Sequence, residues 1–254
     1  MQQVISAPRP WVNMLPGAPS WFNGSTRYMR GRDERLMQPN DPGLKTATAA
    51  TTAGSSDLVA QFADIELAYE STLEGWLRAL DLRDGETEGH SRRVVELTLG
   101  LSAVFGISGD ELVHVRRGAM LHDIGKMALP DSVLLKPGPL DAAEKEQMHL
   151  HPWYAYKMLS GVEFLRPALD IPYGHHEHWD GSGYPRGLRG EETPFAARMF
   201  AVIDVWDALR SDRPYRPGWS AERVIEHIRE LSGTHFEPVV AEAFETLLRK
   251  RGEI

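Results

Sequence analysis

The sequence predicts an all-α protein, and three features carry that expectation. From Asp57 onward, Leu58, Phe62, Ile65, Tyr69, Leu73, Trp76, Leu77 and Leu80 fall mostly three and four residues apart, which lines one face of a helix. Alternating strand patterns are scarce, and no repeat of roughly 20–50 residues is present. Between the helical stretches stand breakers: Pro137–Gly138, Gly181–Gly183 with Pro185, Gly187–Gly190 and Pro214–Gly218.

In chain order, residues 1–56 read as an N-terminal extension and linker. They hold Pro8, Pro10, Pro16, Pro19, Pro39 and Pro42 and close with the small polar run TATAATTAGSS. The stretch from Leu44 to Ser56 is therefore expected to be a flexible linker. The part before it, with Trp11, Trp21, Phe22 and Tyr28, is expected to be partly disordered or the remnant of a sensory module. Residues 57–254 form the expected helical domain. Its first helix, 57–82, is a candidate for pairing with a second copy of itself. The run LVHVRRGAMLHDI makes another helix, with Ser108 and Glu111 as a capping box. Further helices are expected near 88–105, 141–160, 163–176, 194–211, 220–231 and 237–250.

Charge and composition narrow the function. The formal net charge is −8, so the basic footprint of a DNA-binding protein is missing. A small anionic ligand remains compatible if metals and a few arginines make one site locally positive. The absence of cysteine removes disulfides, thiolate metal sites and cysteine nucleophiles together, leaving nitrogen and oxygen as metal donors. No apolar run approaches the roughly 18–20 residues of a membrane span. The N-terminal MQQVISAPRPWVNM lacks a basic patch followed by an apolar stretch, so a cytoplasmic location is expected.

The ten histidines are the most informative residues. His122–Asp123 ends the apolar stretch AMLHDIGK, His175–His176 lies in YGHHEHWDGSGYP, His151 in LHPWYAY, and Asp204 in MFAVIDVWDAL. Charged groups in apolar helical runs are expensive to bury unless paired or metal-bound. Glu86 and His90, four apart, would share a helix face and could ligate one ion together. An adjacent His–Asp pair near a helix end can embrace metals from two sides, its carboxylate bridging ions roughly 3.5–4 Å apart. Each element has an ordinary alternative: a lone histidine on an apolar face is usually structural, and Glu86 with His90 can be a solvated pair. His114, His149, His178, His227 and His235 are taken as structural or surface residues. The ordered series His90, His122–Asp123, His151, His175–His176, Asp204 on consecutive expected helices favours a metal cluster.

With these motifs in place, the chain resembles the HD-GYP family of the HD phosphohydrolase superfamily from roughly Glu66 to Leu248. The matching segments are LRDGETEGHSRRV, AMLHDIGKMALPDSVLLKPGPL, MHLHPWYAYKML, HHEHWDGSGYPRGLRGEETPFAARM and AVIDVWDALRSDRPYR, with His122–Asp123 and Gly183–Tyr184–Pro185 as the name-giving parts. The resemblance implies an HD-type helical bundle with a C-terminal GYP extension. It implies metal-dependent hydrolysis of cyclic di-GMP to pGpG or GMP in bacterial second-messenger signalling, with cyclic GMP–AMP as the other substrate of the family. The implied ligands are His90, His122, Asp123, His151, His175, His176 and Asp204. Glu86 stands where many relatives have an aromatic residue, which implies a third metal site. Two or three divalent transition-metal ions are thus expected, iron first and manganese second. Asp123 and Lys126 take the implied catalytic roles, and Lys126, Arg213, Arg216, Asp207 and Tyr184 the substrate contacts, with Asp207 either touching a guanine edge or orienting the site. The GYP loop is also implied to contact diguanylate cyclase domains. One departure is visible: His178 replaces an arginine common in relatives.

The expected chemistry is in-line attack on phosphorus by a hydroxide bridging the ions, with Lys126 and the arginines neutralising charge in the transition state. Two rivals accompany it: a cyclic-dinucleotide receptor without turnover, and another HD-superfamily nucleotide phosphohydrolase or di-iron oxygenase.

Overall fold

The structure is a computed structural model and describes residues 44–84, 89–212 and 217–254 of the 254. Helices and turns account for it, and among the described residues no strand forms beyond an isolated bridge between Ser232 and Phe236. The all-α expectation holds. By contacts the chain divides into residues 1–64 and residues 65–254.

In the first unit the described residues are the opening turns of helix α1 (Leu44–Asp84). The expected flexible linker over 44–56 is helical instead. Its alanines favour helix strongly, and Gly54 is the single glycine in the run. The expectation for residues 1–43 lies outside the described residues.

In the second unit, α1 continues to Asp84 and is followed by α2 (His90–Val104), α3 (Gly109–Met120), a 3-10 turn (Ile124–Ala128) and α4 (Asp131–Leu134). Then come α5 (Ala142–Met148), α6 (His151–Leu159), a 3-10 segment (Glu163–Leu169), α7 (Asp170–Gly174), a 3-10 turn (Gly190–Glu192), α8 (Phe195–Arg210), α9 (Ala221–Glu230) and α10 (Pro238–Arg251). Three boundaries differ from expectation. The helix expected over 141–160 breaks before His151, and Pro152 sits in the first turn of α6. The one expected over 163–176 starts as 3-10 helix, with Pro167 inside it and Pro172 in α7, neither with an N–H to donate. Ser108 does precede α3, but its side chain makes no capping bond. A capping box forms instead between Asp141 and Glu144 at the start of α5.

Two apolar clusters hold the second unit together. The larger joins Val94, Leu97 and Leu101 of α2 to Phe200 and Ile203 of α8, Val224 and Ile228 of α9, and Val240 and Phe244 of α10. The smaller packs Leu73 of α1 against Met120, Leu121, Ile124, Ala155, Leu159 and Leu165. Each of these buried side chains larger than alanine contributes about 1.5–3 kcal/mol over its exposed state. Glu70 of α1 also accepts from Arg117 Nε at 2.7 Å and from Arg116, fastening α1 to α3. No helix among the described residues is long and apolar enough to cross a membrane.

Candidate metal centre

Seven of the expected ligands are described, and the fold gathers them. Asp123, His151, His175 and His176 form one group and His90, His122 and Asp204 another, with one ligand atom per residue lying within 4.8 Å of the others in its group. Helix ends do most of the positioning. His90 opens α2, His151 opens α6, His122–Asp123 follows α3, and His175–His176 follows α7; Asp204 alone sits mid-helix, in α8. Where a helix ends, successive side chains leave the backbone in directions that a regular helix forbids, so adjacent pairs can serve one centre.

Two glycines permit this convergence. A Cβ on Gly125 would lie 1.9 Å from the His151 carbonyl oxygen and 2.6 Å from the Ala155 nitrogen, so the Asp123–Lys126 turn can lie directly on α6. A Cβ on Gly183 would lie 2.4 Å from the His176 carbonyl oxygen and 2.3 Å from the His178 nitrogen, so the GYP loop lies directly on the His176 backbone.

The imidazoles are aimed by their Nδ1 atoms. His122 Nδ1 donates to the Ala119 carbonyl at 2.9 Å, His151 Nδ1 to Met148 at 2.8 Å, and His175 Nδ1 to Ile171 at 3.0 Å. A carbonyl only accepts, so these contacts assign the proton to Nδ1 and leave the Nε2 lone pair for a metal. His90 Nδ1 meets a carboxylate, Asp207 Oδ2, at 2.7 Å. Burial, first, and neighbouring imidazoles hold His175 and His176 well below the usual histidine range, which keeps them neutral.

Asp123 joins the two groups. Its Oδ1 lies 3.1 Å from His151 Nε2 and 3.8 Å from His175 Nε2, while its Oδ2 lies 3.1 Å from His122 Nε2. Lys126 Nζ approaches the same Oδ2 at 2.6 Å. Burial would raise the Asp123 pKa, but the charge of Lys126, with the imidazoles of His122 and His151 beside the carboxylate, outweighs it, and the carboxyl stays well below its usual range.

These donors fit divalent cations. His151 Nε2 and His175 Nε2 stand 3.4 Å apart with both Nδ1 protons committed elsewhere, so two lone pairs face each other across an anionic carboxylate. Neutral imidazole and carboxylate suit iron, manganese or zinc.

The remaining expected site residues divide. Lys126 reaches the centre, with Asp84 Oδ2 3.6 Å away on its other side. Asp207 is turned inward, 4% exposed: Oδ1 accepts from Arg93 Nε at 2.6 Å, and Oδ2 from Arg93 Nη2 at 2.9 Å and from His90. Of its two expected roles, direct substrate contact and orientation, the geometry supports orientation. Burial would raise the Asp207 pKa, but the bonds from His90 and Arg93 override it and lower it to about 2. The Tyr184 ring stacks on His176 and on His149, at centroid distances of 4.7 and 4.0 Å. His178 faces away, its Nδ1 2.9 Å from Ser182 Oγ and its ring 3.8 Å from that of His235. Glu86, Arg213 and Arg216 lie outside the described residues.

Four residues around the centre escape sequence reasoning. Arg83 Nη1 donates to the carbonyls of Lys126, at 3.4 Å, and Met127, and Nη2 to Leu129 at 2.6 Å and Asp131 Oδ1 at 2.9 Å. Glu177, 3% exposed, accepts from the backbone of Arg186 at 2.8 Å and Leu188 at 3.0 Å and so holds the chain beyond the GYP loop. Arg93 was findable, because a residue three after His90 on a helix shares its face. His149 carried no signal.

An all-helical fold that brings five histidines and two aspartates to one centre defines a His/Asp metal-centre protein. The chain belongs to the HD domain family, which residues 77–240 match. It is 36% identical over 230 residues to the Xanthomonas campestris pv. campestris protein named cyclic di-GMP phosphodiesterase response regulator RpfG, covering 90% of this chain and 60% of that one. It is 40% identical over 182 residues to a Thermotoga maritima cyclic di-GMP phosphodiesterase, covering 69% of this chain and 50% of the relative. A Vibrio cholerae 3'3'-cGAMP-specific phosphodiesterase 2 is 39% identical over 166 residues, 65% of this chain and 32% of that one. The chain therefore spans three-fifths or less of the length of these curated relatives. Among solved structures, an HDG"Y"P protein of Bdellovibrio bacteriovorus, Bd1817, aligns with a TM-score of 0.51 at 19% identity, covering 63% of this chain and 51% of that one, and supports the fold.

Proposed function

We propose that this chain is a cyclic-dinucleotide phosphodiesterase that hydrolyses cyclic di-GMP, to pGpG or on to GMP, at a centre held by His90, His122, Asp123, His151, His175, His176 and Asp204. The observation that carries the reading is Asp123, whose two oxygens are shared between the two histidine groups, as a bridging carboxylate requires. Relatives named for cyclic di-GMP support that substrate, and those named for 3'3'-cGAMP make it the alternative. Iron is the first metal proposed and manganese the second; a third ion would draw on Glu86.

Bound there, divalent ions supply Lewis-acid polarisation of a phosphodiester and acidify water towards neutrality. The chain's own groups do the rest. Nδ1 bonds fix the orientations of His90, His122, His151 and His175, so little reorganisation of these four accompanies the reaction. Lys126 sits beside Asp123, where its ammonium can neutralise charge growing on a phosphoryl oxygen. Arg213 and Arg216 are proposed to hold the substrate phosphates through bidentate bonds.

The reading puts the protein in the cytoplasm with its messenger substrate. Exposed Ile65, Tyr69 and Trp76 on α1, at 49%, 47% and 39%, support pairing with a second copy. Contact between the GYP loop and diguanylate cyclase domains rests on family resemblance alone.

The test is product chromatography with cyclic di-GMP and 3'3'-cGAMP on protein purified anaerobically, with elemental analysis of the same sample. Linear products that vanish with chelator, and in His122→Ala or Asp123→Ala, are expected. Dioxygen consumption without phosphodiester cleavage, or binding of the dinucleotide without turnover, would sink the proposal.

A further inference from the structure

Four of the five histidines at the centre are held by a hydrogen bond at Nδ1: His122, His151 and His175 to backbone carbonyls and His90 to Asp207. Among the described residues, His176 has no such bond. An imidazole without one can rotate about χ2 or exchange its two nitrogens, and either motion takes Nε2 off its target.

Two fellow imidazoles touch the His176 ring at an angle, His175 at 4.0 Å and 42° and His151 at 5.0 Å and 89°, and the ring stacked on its face is that of Tyr184. Tyr184 lies 4.7 Å away at an interplanar angle of 28°, and His149 stacks on Tyr184 at 4.0 Å and 16°. His149 and His176 make no ring contact with each other, so the phenol lies between the two imidazoles. Its register is set by the backbone: Tyr184 N donates to the His176 carbonyl at 3.0 Å, and Gly183 has no room for a Cβ there. The loop is thus fixed to the very residue on which its tyrosine stacks.

We infer that Tyr184 is the positioning residue for His176, doing by ring stacking what the Nδ1 bonds do for the other four, with His149 as the backing ring. The inference rests on the metal-centre reading above and gives the GYP tyrosine a task on the metal side of the site. It also predicts which part of the side chain matters: the ring and not the hydroxyl.

The experiment titrates Mn2+ into the chelator-stripped full chain and into four variants, Tyr184→Phe, Tyr184→Ala, His149→Phe and His149→Ala, and reads affinity and stoichiometry without substrate. Tyr184→Phe and His149→Phe are expected to bind within about 2-fold of wild type, whereas Tyr184→Ala should weaken one ion by roughly 10–100-fold, the usual effect of losing a partner that orients a ligand. His149→Ala should fall between. If Tyr184→Phe loses as much as Tyr184→Ala, the hydroxyl carries the role and the inference is wrong. If Tyr184→Ala keeps wild-type Mn2+ affinity while KM for cyclic di-GMP rises, Tyr184 is a substrate contact and the inference is again wrong. Should Tyr184→Ala not fold, the His149 pair decides alone: equal Mn2+ affinity in both variants overturns the stack. A wild-type protein that takes up Mn2+ and cleaves no cyclic dinucleotide would remove the proposed activity yet leave this test intact.

Discussion

His90 Nδ1 lies 2.7 Å from Asp207 Oδ2, and Arg93 grips the same carboxylate from the other side with two bonds of 2.6 and 2.9 Å. A carboxylate behind a histidine fixes its tautomer and raises its basicity as a ligand. Asp207→Ala should therefore lower metal affinity roughly 10–100-fold, and Asp207→Asn, which keeps an oxygen for His90, should do so less. Elemental analysis of the purified variants checks the order.

Arg83 grips the turn that carries Lys126 through its carbonyls and through Asp131. Removing a charged donor from such bonds costs on the order of 1.5–3 kcal/mol each before relaxation. In Arg83→Ala the turn loses its anchor, and kcat should fall at least ~10-fold from misplacement of Lys126. Metal content should stay as in wild type, because Arg83 touches no ligand side chain. Steady-state kinetics paired with metal analysis separates the two effects.

Glycine substitutions should give opposite signs at two positions. Gly125→Ala forces a Cβ to 1.9 Å from backbone oxygen, which no rotamer change relieves, and the protein should lose several kcal/mol, on the order of a large core defect. Gly75 lies within α1 with nothing within 4 Å of an added Cβ, so Gly75→Ala should stabilise by about 0.5–1 kcal/mol. Thermal melts of the two variants decide.

Acid should loosen the GYP region. Burial, then the neighbouring His178, lowers the His235 pKa from 6.5 to about 4. The folded state thus resists a proton that the unfolded chain accepts. Stability is full above about 6.5 and declines as pH falls towards 4, by roughly 1–3 kcal/mol from this group. His235→Phe should flatten that limb of a stability-versus-pH curve measured by denaturant titration. An unchanged slope would remove His235 from the account.

The centre was legible in the sequence because imidazoles and carboxylates inside apolar helical runs have few inexpensive explanations. Seven of them, from His90 to Asp204, were found in order and stand together. What orients them was mostly not legible. The partners of His122, His151 and His175 are main-chain carbonyls, which every residue possesses, so no side-chain letter announces them. The inward turn of Asp207 needed Arg93 on another helix, and the stack on Tyr184 needed His149, with the GYP loop laid against the His176 backbone at Gly183. The fold class followed from periodicity, whereas the 3-10 segment before α7 followed from where Pro167 withheld its donor. Small polar residues read as linker even when alanine-rich, so the helix over 44–56 is not legible in the sequence.

The last turn of α1 ends in Arg83 and Asp84, and both face the turn that holds Lys126. Helix termini fray readily, and in most proteins the event is silent. Here one unwound turn would take the support from beneath Lys126, the lysine proposed to neutralise charge at the centre. The catalytic rate would then report the thermal opening of a helix end, rising and falling with conditions that leave the bulk of the fold untouched.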